Sequence, residues 1–363
     1  MKFIGSVKED LSIEKRVSIT PESIKKYMDL GFTVNLEKKY GEHLGIEDED
    51  YKKIGANINF SKEEVFQKSD IILKVNSPSL AEVHLIKSKS IIIGQFDSNL
   101  NRDVFDKLIK KDVKIFSLNL LPRITRAQSM DVLSSQANLA GYKAVIESFS
   151  KFEKAIPMMM TAAGTIPAAK VLVGGAGVAG LQAIAKAIRM GAIVFATDVR
   201  AAAKEQVESL GGKFLAVEGS ENLETESGYA KETYEAFKKK QENLLSETLK
   251  KIDIVICTAL IPGKKAPLII KENMLKNLKA GAIIYALAVV QGGNAVFSEI
   301  DKIVDKNGVK IMGERNILNK LPISASNLYS KNLFNFVLNL YDKKNKKINI
   351  NLEDEIIKKT LID

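Results

Sequence analysis

The segment KVLVGGAGVAGLQAIAKAIRMGAIVFATD, residues 170–198, constrains the fold most strongly. An apolar strand leads into Gly175, Gly177 and Gly180, and a helical pattern with periodic apolar residues follows. In such a unit the glycines allow a tight turn, close approach of the backbone to a pyrophosphate, and close packing of helix on strand. The free N–H groups and positive dipole end of the helix favour phosphate. The segment therefore predicts a parallel α/β domain that binds a dinucleotide.

The acidic residue at the end of the next strand indicates which dinucleotide is bound. Asp198 ends the strand AIVFATD, 18 residues after Gly180. A carboxylate at this place accepts hydrogen bonds from the adenosine ribose and repels a 2′-phosphate, which favours NAD over NADP. Arg200 weakens the preference, because a nearby arginine can accommodate that phosphate.

Two series of apolar runs predict two domains, as expected for a chain of 363 residues. The first 120 residues alternate helical patterns with FIGSV, FTVNLE, IILKV, SIIIGQF and VKIFSLNL, and they lack a glycine-rich loop. The second series is KVLVGG, AIVFATD, KFLAV, DIVICTAL, AIIYALAV and VKIMGE. This alternation predicts an α/β fold of two Rossmann-like domains with mostly parallel sheets, joined by long helical segments around a cleft.

The helical segments set the expected domain boundaries. A long helix is predicted over residues 129–152, with one internal glycine, Gly141. The tail SASNLYSKNLFNFVLNLYDKK has apolar residues at helical spacing and is expected to pack back on the first domain. Residues 1–135 and 320–363 then form a discontinuous N-terminal domain, and 136–319 the NAD-binding domain. KKNKKININLEDE is predicted to be polar and flexible.

Composition excludes several classes of function. The net charge of +10 comes mostly from scattered lysines, without the aromatic-spaced basic stripe of nucleic-acid binders. The single Cys257 lies in an apolar run, so no disulfide framework forms and a reducing compartment is expected. One cysteine and two separated histidines do not predict a metal site. The apolar runs are too short for a membrane helix, so a soluble chain without a membrane span is expected.

The segment PRITRAQSMD, residues 122–131, has two interpretations on its residues alone. Thr125 and Gln128 have the spacing of a capping box, and Asp131 suits the first turn of a helix. Alternatively, Arg123, Gln128 and Asp131 face a ligand. The chain also lacks an obvious general acid or base, because His43 and His84 both lie outside the glycine loop and are interpreted as surface residues.

Several motifs together resemble one family over nearly the whole chain. They are EKRVSITPESIKKYMDLGFTV, PRITRAQSMDVLSSQANLAGYKAV, the glycine-loop segment, ESGYAKE, TALIPGKKAP and QGGN. The chain resembles the alanine dehydrogenase/transhydrogenase family, and within it the NAD(H)-binding alpha-1 subunits (domain I) of proton-translocating NAD(P) transhydrogenases. PRITRAQSMD and the GYA loop are what favour the transhydrogenase branch.

The resemblance implies roles for particular residues. Arg123, Asp131 and Ser134 would hold the nicotinamide end of NAD(H), and Gln128 would reach toward NADP(H) on a partner. Tyr229 would belong to a mobile loop that closes over the nucleotide, and Asp198 would bind the adenosine ribose. The remaining residues implied in cofactor binding are Gly175, Gly177, Val178, Ala179, Gly180, Val199, Arg200, Ala259 and Leu260.

The dehydrogenase branch matches less completely. The resemblance implies that Arg16 and Lys74 correspond to the residues that hold a substrate carboxylate there. The position of the catalytic histidine falls within residues 95–97, which contain none, and the aspartate expected before QGG is Val290. Ala286 stands where a transhydrogenase frequently has an aspartate.

The leading hypothesis is direct hydride transfer between NADH on this chain and NADP+ on another subunit. The resemblance implies membrane and NADP-binding partner subunits, a homodimer, and a cytoplasmic location, peripheral at the inner membrane through those partners. Two other functions stay open: an alanine or related amino-acid dehydrogenase, and a non-catalytic NAD-binding module.

Overall fold

The computed structural model describes residues 2–98, 100–200, 202–217, 235–261 and 264–363. The chain divides into two compact units: unit 1 comprises Met1–Gln136 with Leu318–Asp363, and unit 2 comprises Ala137–Ile317. The boundaries predicted from the sequence fall after residues 135 and 319. Each unit contains a seven-stranded sheet, and the α/β fold with two mostly parallel sheets is confirmed.

The strands are numbered along the whole chain. They are β1 Phe3–Ser6, β2 Thr33–Glu37, β3 Asn57–Asn59, β4 Ile71–Leu73, β5 Ile91–Gly94, β6 Lys114–Ser117, β7 Met159–Thr161, β8 Gly164–Ile166, β9 Lys170–Gly174, β10 Ile193–Thr197, β11 Lys213–Phe214, β12 Ile254–Cys257, β13 Ile283–Ala286, β14 Lys302–Lys306, β15 Val309–Gly313, β16 Tyr341–Asp342, β17 Lys347–Ile348 and β18 Leu361–Ile362.

The helices are numbered in the same way. They are α1 Pro21–Asp29, α2 Asp48–Ile54, α3 Lys62–Lys68, α4 Leu80–Leu85, α5 Arg102–Lys110, α6 Val132–Lys151, α7 Val178–Arg189, α8 Ala202–Ser209, α9 Glu235–Leu249, α10 Glu272–Leu275, α11 Pro322–Leu340 and α12 Glu355–Thr360. Short 3-10 helices cover Glu42–Leu44, Leu118–Leu120, Thr125–Met130, Val289–Gln291 and Ile317–Lys320. Within the described ranges, no helix combines the length and apolar character that a bilayer span requires.

The unit 1 sheet has the strand order β18-β6-β5-β4-β1-β2-β3. Every pair is parallel except β18 with β6. The central strands β4 and β5 are buried along their whole length, as expected for a parallel sheet covered on both faces. The five predicted strands of this unit are confirmed. Strand β3 was missed, since its sequence NIN carries two asparagines, which are depleted in strands.

The C-terminal segment is ordered, and the prediction of a flexible polar terminus over KKNKKININLEDE is wrong. Strands β16 and β17 pair as a hairpin, and Asp354 caps α12 by accepting hydrogen bonds from the N–H of Ile356 (2.8 Å) and Ile357 (3.4 Å). Both isoleucines are buried in the core of unit 1. The polar residues of this segment therefore form a turn and a cap that return the chain to the sheet.

The unit 2 sheet has the strand order β11-β10-β9-β12-β13-β15-β14, with only β14 antiparallel among its pairs. Taken in chain order without the antiparallel edge, this is the 3-2-1-4-5-6 order of dinucleotide-binding sheets. The six predicted strands of this unit are confirmed. The strand order reverses between β9 and β12, and ligands bind at such switch points, outside the carboxyl ends of the strands.

Helix α6 starts at Val132, and the predicted start at Ser129 is wrong, because a 3-10 helix runs to Met130 first. Gly141 lies within the portion of α6 that belongs to unit 2. A Cβ atom built there would lie 2.0 Å from the carbonyl oxygen of Ala179 in α7. The glycine therefore permits backbone contact between α6 and the first turn of the helix that follows the glycine loop.

We predict that Gly141→Ala destabilises the protein. Helix propensity alone would favour alanine by about 1 kcal/mol. The clash with Ala179 forces α6 and α7 apart, and such overpacking costs about 1–3 kcal/mol, so the sign reverses. The thermal midpoint measured by circular dichroism should fall, whereas Asn138→Ala, at an exposed position of the same helix, should leave it nearly unchanged. An unchanged midpoint for Gly141→Ala would contradict the close contact.

Candidate nucleotide site

The loop between β9 and α7 has the shape that its glycines predict. Gly175 has a φ of +98°, and a Cβ atom there would lie 2.9 Å from the backbone nitrogen of Ala259. At Gly180 a Cβ atom would lie 1.9 Å from the carbonyl oxygen of Gly175. Gly177 precedes α7, and the nearest atom to its Cβ position is Nη2 of Arg200 at 3.9 Å. The turn is thus closed at two glycines and open at the third, where a phosphate can approach the backbone.

The residues around this loop lie at the switch point of the unit 2 sheet. Thr258, directly after β12, donates a hydrogen bond from Oγ1 to the carbonyl oxygen of Gly175 (2.8 Å). The next two residues, Ala259 and Leu260, follow at the same edge, and Leu260 is 45% exposed. Val178 is exposed at the first position of α7, whereas Ala179 contacts α6. The predicted residues of this unit therefore surround one loop.

Asp198 is fully engaged by donors of its own chain. Its Oδ2 accepts from the backbone N–H of Ala176 (2.7 Å) and from Nη2 of Arg200 (2.9 Å). Its Oδ1 accepts from the backbone N–H and from Nε of Arg200, both at 2.9 Å. Burial acts to raise the pKa of Asp198, but the arginine and the two N–H groups outweigh it and hold the pKa below its usual range. A ribose that hydrogen-bonds to this carboxylate has to displace the side chain of Arg200. Val199, between the two residues, is half-buried.

The segment 122–131 lies in unit 1, and its capping residue differs from the one predicted. Oδ1 of Asp131 accepts the backbone N–H of Ser134 (2.9 Å), and Oδ2 accepts its hydroxyl (2.5 Å). Asp131 is thus the N-cap of α6. The prediction of a capping box at Thr125 and Gln128 is wrong, because no side-chain hydrogen bond caps the 3-10 helix there.

Arg123 and Gln128 are exposed on this segment. Across the described ranges, the Gln128 side chain forms no hydrogen bond. It therefore does not cap the helix, and capping does not compete with ligand binding for this side chain. The structure brings Asp131 and Ser134 together in unit 1, and the glycine loop, Asp198 and Arg200 together in unit 2. Tyr229 lies outside the described residues.

Arg16 and Lys74, the residues matched to the dehydrogenase branch, are buried and paired in unit 1. The guanidinium of Arg16 forms two hydrogen bonds of 2.8 Å with the carboxylate of Glu14. Nζ of Lys74 lies 3.4 Å from Oε2 of Glu9 and 3.5 Å from Oε1 of Glu82. These three carboxylates were missed by the sequence analysis. Only Glu14, two residues before Arg16, could have been found from its spacing.

The other residues singled out in the sequence are divided between the two units, with His43 and His84 in unit 1 and Cys257, Ala286 and Val290 in unit 2. His43 is exposed, with Nε2 bonded to the carbonyl oxygen of Lys15 (2.8 Å), and His84 is exposed on α4. Val290 is 55% exposed, whereas Ala286 is buried at the end of β13. Cys257 is buried in β12, and burial raises the pKa of its thiol to about 12. Within the described ranges, no group of three or more histidine, cysteine or acidic residues could hold a metal ion.

Comparison with known proteins finds two family models that together match most of the chain. The N-terminal domain of alanine dehydrogenase/PNT matches residues 5–140, and its C-terminal domain matches residues 144–362. The chain is 48% identical over 366 aligned residues to the first part of the NAD(P) transhydrogenase alpha subunit of Rhodospirillum rubrum, covering 99% of this chain and 95% of that protein. The protein of the same name from Rickettsia prowazekii is 45% identical, covering 100% and 94%.

Two solved structures extend the comparison. A transhydrogenase from Sinorhizobium meliloti superposes with a TM-score of 0.90 at 44% identity, covering 99% of this chain and 98% of that one. An L-alanine dehydrogenase superposes with a TM-score of 0.81 at 21% identity, covering 99% and 94%, which shows a shared fold.

We predict that Asp131→Ala and Asp131→Asn differ in stability. Removing an N-cap side chain costs about 1 kcal/mol, whereas asparagine caps a helix about as well as aspartate. Asp131→Ala should therefore lower the thermal midpoint, and Asp131→Asn should keep most of it, as followed by circular dichroism. Equal losses for the two variants would show that charge, rather than capping, accounts for the role of Asp131 in folding.

Proposed function

The chain belongs to the alanine dehydrogenase/PNT family, and on that premise we propose that it is the NAD(H)-binding subunit of a proton-translocating NAD(P) transhydrogenase. The observation that carries the proposal is the glycine loop with Asp198 at the switch point, in a chain nearly half identical to a transhydrogenase alpha subunit over almost its full length. Bound NADH supplies a hydride, which passes to NADP+ held by a partner subunit.

The residues of unit 2 fit a dinucleotide. The open backbone at Gly177 and the N-terminus of α7 suit a pyrophosphate, because free N–H groups and the helix dipole both favour negative charge. Asp198 is held ionised, so it can accept from ribose hydroxyls and repel a 2′-phosphate. Arg200, released from Asp198, is a cation close to the same backbone. The open backbone at Gly177 and the ionised Asp198 support NAD(H) as the nucleotide of this chain, whereas a released Arg200 weakens the preference against a 2′-phosphate.

The segment 122–131 has a different task in the proposal. Arg123, Asp131 and Ser134 hold the nicotinamide end, and Gln128 reaches toward the NADP(H) of the partner. The exposure of Arg123 and Gln128 supports this assignment, because both side chains lie at the surface of unit 1. Tyr229, on a segment outside the described residues, is proposed to close over the nucleotide.

Hydride transfer between two nicotinamides explains the scarcity of proton-transfer groups. Neither ring exchanges a proton in that step, so no general acid or base is needed. The work of the protein is to hold the reacting carbons in a near-attack arrangement, about 3–3.5 Å apart. The chain contains only two histidines, and both lie outside the glycine loop and segment 122–131.

The proposed partners follow from the same activity. The NADP-binding site and the proton pathway are assigned to other subunits, one of which spans the membrane. The chain itself is placed in the cytoplasm, peripheral at the inner membrane through those subunits. Coupling to the proton gradient then depends on the assembled complex, and the isolated chain is expected to bind NAD(H) without turnover.

An amino-acid dehydrogenase is the second candidate, supported by the retained Arg16 and Lys74. Proteins named "Alanine dehydrogenase" are related to the chain, for example that of Methanococcus maripaludis at 27% identity. Against this candidate, the histidine and aspartate positions matched to its catalytic residues hold other residues, including the exposed Val290.

We predict that the purified chain, mixed with an NADP-binding partner subunit, reduces NADP+ with NADH in a stopped-flow assay. Gln128→Asn shortens the exposed side chain by one methylene, so it should slow hydride transfer by about tenfold or more through loss of alignment. Its affinity for NADH, measured by calorimetry, should stay within about twofold, since the glycine loop is unchanged.

Three outcomes separate the candidates. Hydride transfer by the mixture supports the transhydrogenase. Reduction of NAD+ by L-alanine with the isolated chain would instead establish the dehydrogenase. NADH binding without transfer under saturating nucleotides would leave only a non-catalytic binding module, and a large loss of NADH affinity in Gln128→Asn would refute its assigned role.

We also propose that the chain forms a homodimer through the hairpin of β7 and β8. All residues from 157 to 167 are exposed, and among them Met158 is 61% and Met160 80% exposed. A two-stranded hairpin is marginally stable by itself, and exposed apolar side chains that lie together mark interaction sites. A second copy of the chain would cover both the hairpin and its methionines.

We predict that Met160→Asp shifts the protein toward the monomer in sedimentation-velocity runs at micromolar concentration, because a carboxylate would be buried in the interface. The matched control is Leu80→Asp, another exposed apolar residue, which lies in unit 1 and should leave the sedimentation coefficient unchanged. A wild-type chain that sediments as a monomer at the same concentration would refute the proposed dimer.

A further inference from the structure

The 3-10 helix Thr125–Met130 is tied to the C-terminal helices of unit 1 by an arginine. Nη1 of Arg126 lies 2.6 Å from Oδ2 of Asp354, and Nη2 lies 2.8 Å from Oδ1. Nη1 also donates to Oδ1 of Asn339 on α11 (3.2 Å). The contact with Asp354 is bidentate, which fixes the direction of the guanidinium as well as its distance.

The backbone of the same short helix is held by two asparagines of α11. The carbonyl oxygen of Ser129 accepts hydrogen bonds from Nδ2 of Asn332 (2.9 Å) and from Nδ2 of Asn335 (3.0 Å). Oδ1 of Asn332 in turn accepts from the hydroxyl of Ser135 in the first turn of α6 (2.7 Å). Asn332 therefore connects the two ends of the turn from the 3-10 helix into α6.

The spacing of residues in α11 and in the 3-10 helix explains why only one face of the 3-10 helix is hydrogen-bonded to α11. Asn335 and Asn339 follow Asn332 by three and seven residues, which places all three on one face of an α-helix. A 3-10 helix repeats every three residues, so Arg126 and Ser129 share one face. Thr125 and Gln128 share another, and Gln128 is exposed there. The polar face of α11 thus holds the side of the segment that does not carry Gln128.

We infer that the Arg126–Asp354 pair and the asparagine face of α11 position Gln128 for hydride transfer. These residues are positioning residues. The inference rests on the proposed function, because it assigns to Gln128 a role in that reaction. Neither the sequence motifs nor the family resemblance assigns a role to Asp354 or to the asparagines.

A role in positioning is expected to exceed the contribution of the pair to stability. The side chain of Arg126 is 53% exposed and that of Asp354 16% exposed, and an ion pair that is partly open to solvent contributes about 1 kcal/mol or less to the free energy of unfolding. Misplacement by about 1 Å, in contrast, can slow a reaction about a hundredfold. The effect of breaking this pair should therefore appear in the rate of hydride transfer and hardly in the thermal midpoint.

A substitution of Asp354 can separate its contact with Arg126 from its role as the cap of α12. Its Oδ1 caps α12, and both oxygens bind Arg126. Asp354→Asn keeps an oxygen for the cap but loses the charge and one acceptor of the bidentate contact. Arg126→Ala removes the same contact from the other side and leaves the cap untouched. The pair of variants therefore breaks one interaction by two routes.

The experiment measures the first-order rate constant of hydride transfer at saturating NADH, NADP+ and NADP-binding partner. Arg126→Ala and Asp354→Asn should each lower it about tenfold, and the double variant should lie no lower than either. NADH affinity should stay within about twofold. Amide hydrogen exchange of residues 125–130 should become faster in all three variants.

The control is Arg102→Ala, which breaks the exposed pair of Arg102 and Asp106 in unit 1 (2.8 Å) and should change none of these quantities. A wild-type chain that transfers no hydride would overturn the proposed function. An active wild type with unchanged rate and exchange in Arg126→Ala would overturn the present inference alone. A hundredfold loss in the double variant would also overturn it, because independent effects multiply.

Discussion

The packing of unit 2 depends on close backbone contacts at the start of α7, which only residues without a side chain permit. Gly180 lets the helix approach the carbonyl oxygen of Gly175, and Gly141 lets α6 approach Ala179 one residue away. The first turn of α7 is thus packed against backbone on two sides. This packing fixes the orientation of its N–H groups, and a helix N-terminus binds an anion through N–H groups that point toward it. The packing of the unit and the geometry of the proposed phosphate site have the same cause.

The carboxylates of the candidate residues are hydrogen-bonded within each unit. In unit 2, Arg200 donates hydrogen bonds to Asp198, and in unit 1, Asp131 accepts a hydrogen bond at the start of α6. A nucleotide that binds to Asp198 exchanges one set of hydrogen bonds for another, and this carboxylate stays paired until then. Gln128 differs, since its amide has no hydrogen bond within the stretch of chain that the structure describes. A side chain in that state can turn toward a partner without losing an intramolecular contact.

Sequence patterns predicted the strands correctly where burial alone determines the structure. Continuous apolar runs and the glycine loop predicted eleven strands of the two sheets, because burial on both faces leaves a clear pattern. Three edge strands, β3, β14 and β18, were missed, since an edge strand depends on its neighbour more than on its own residues. The capping residue was misplaced because Thr125 and Asp131 both suit a helix start, whereas the structure has a 3-10 helix to Met130, with Ala127 and Met130 buried, and begins α6 only after it. Asp354 and the asparagines of α11 lie more than 190 residues from the segment they hold. No local pattern marks such a contact.

The discontinuity of unit 1 has a consequence for the order of events during synthesis. Unit 2 is one continuous stretch of chain, whereas unit 1 needs α11, α12 and strand β18 beside β6 to complete its sheet. A ribosome therefore delivers every residue of unit 2 before unit 1 can close. Until then β6 presents an open edge, and the apolar face that α11 will cover stays exposed. Exposed apolar surface and an unpaired strand edge are the features that make an incomplete domain prone to aggregation, and in this chain both belong to unit 1 until its last helices are made.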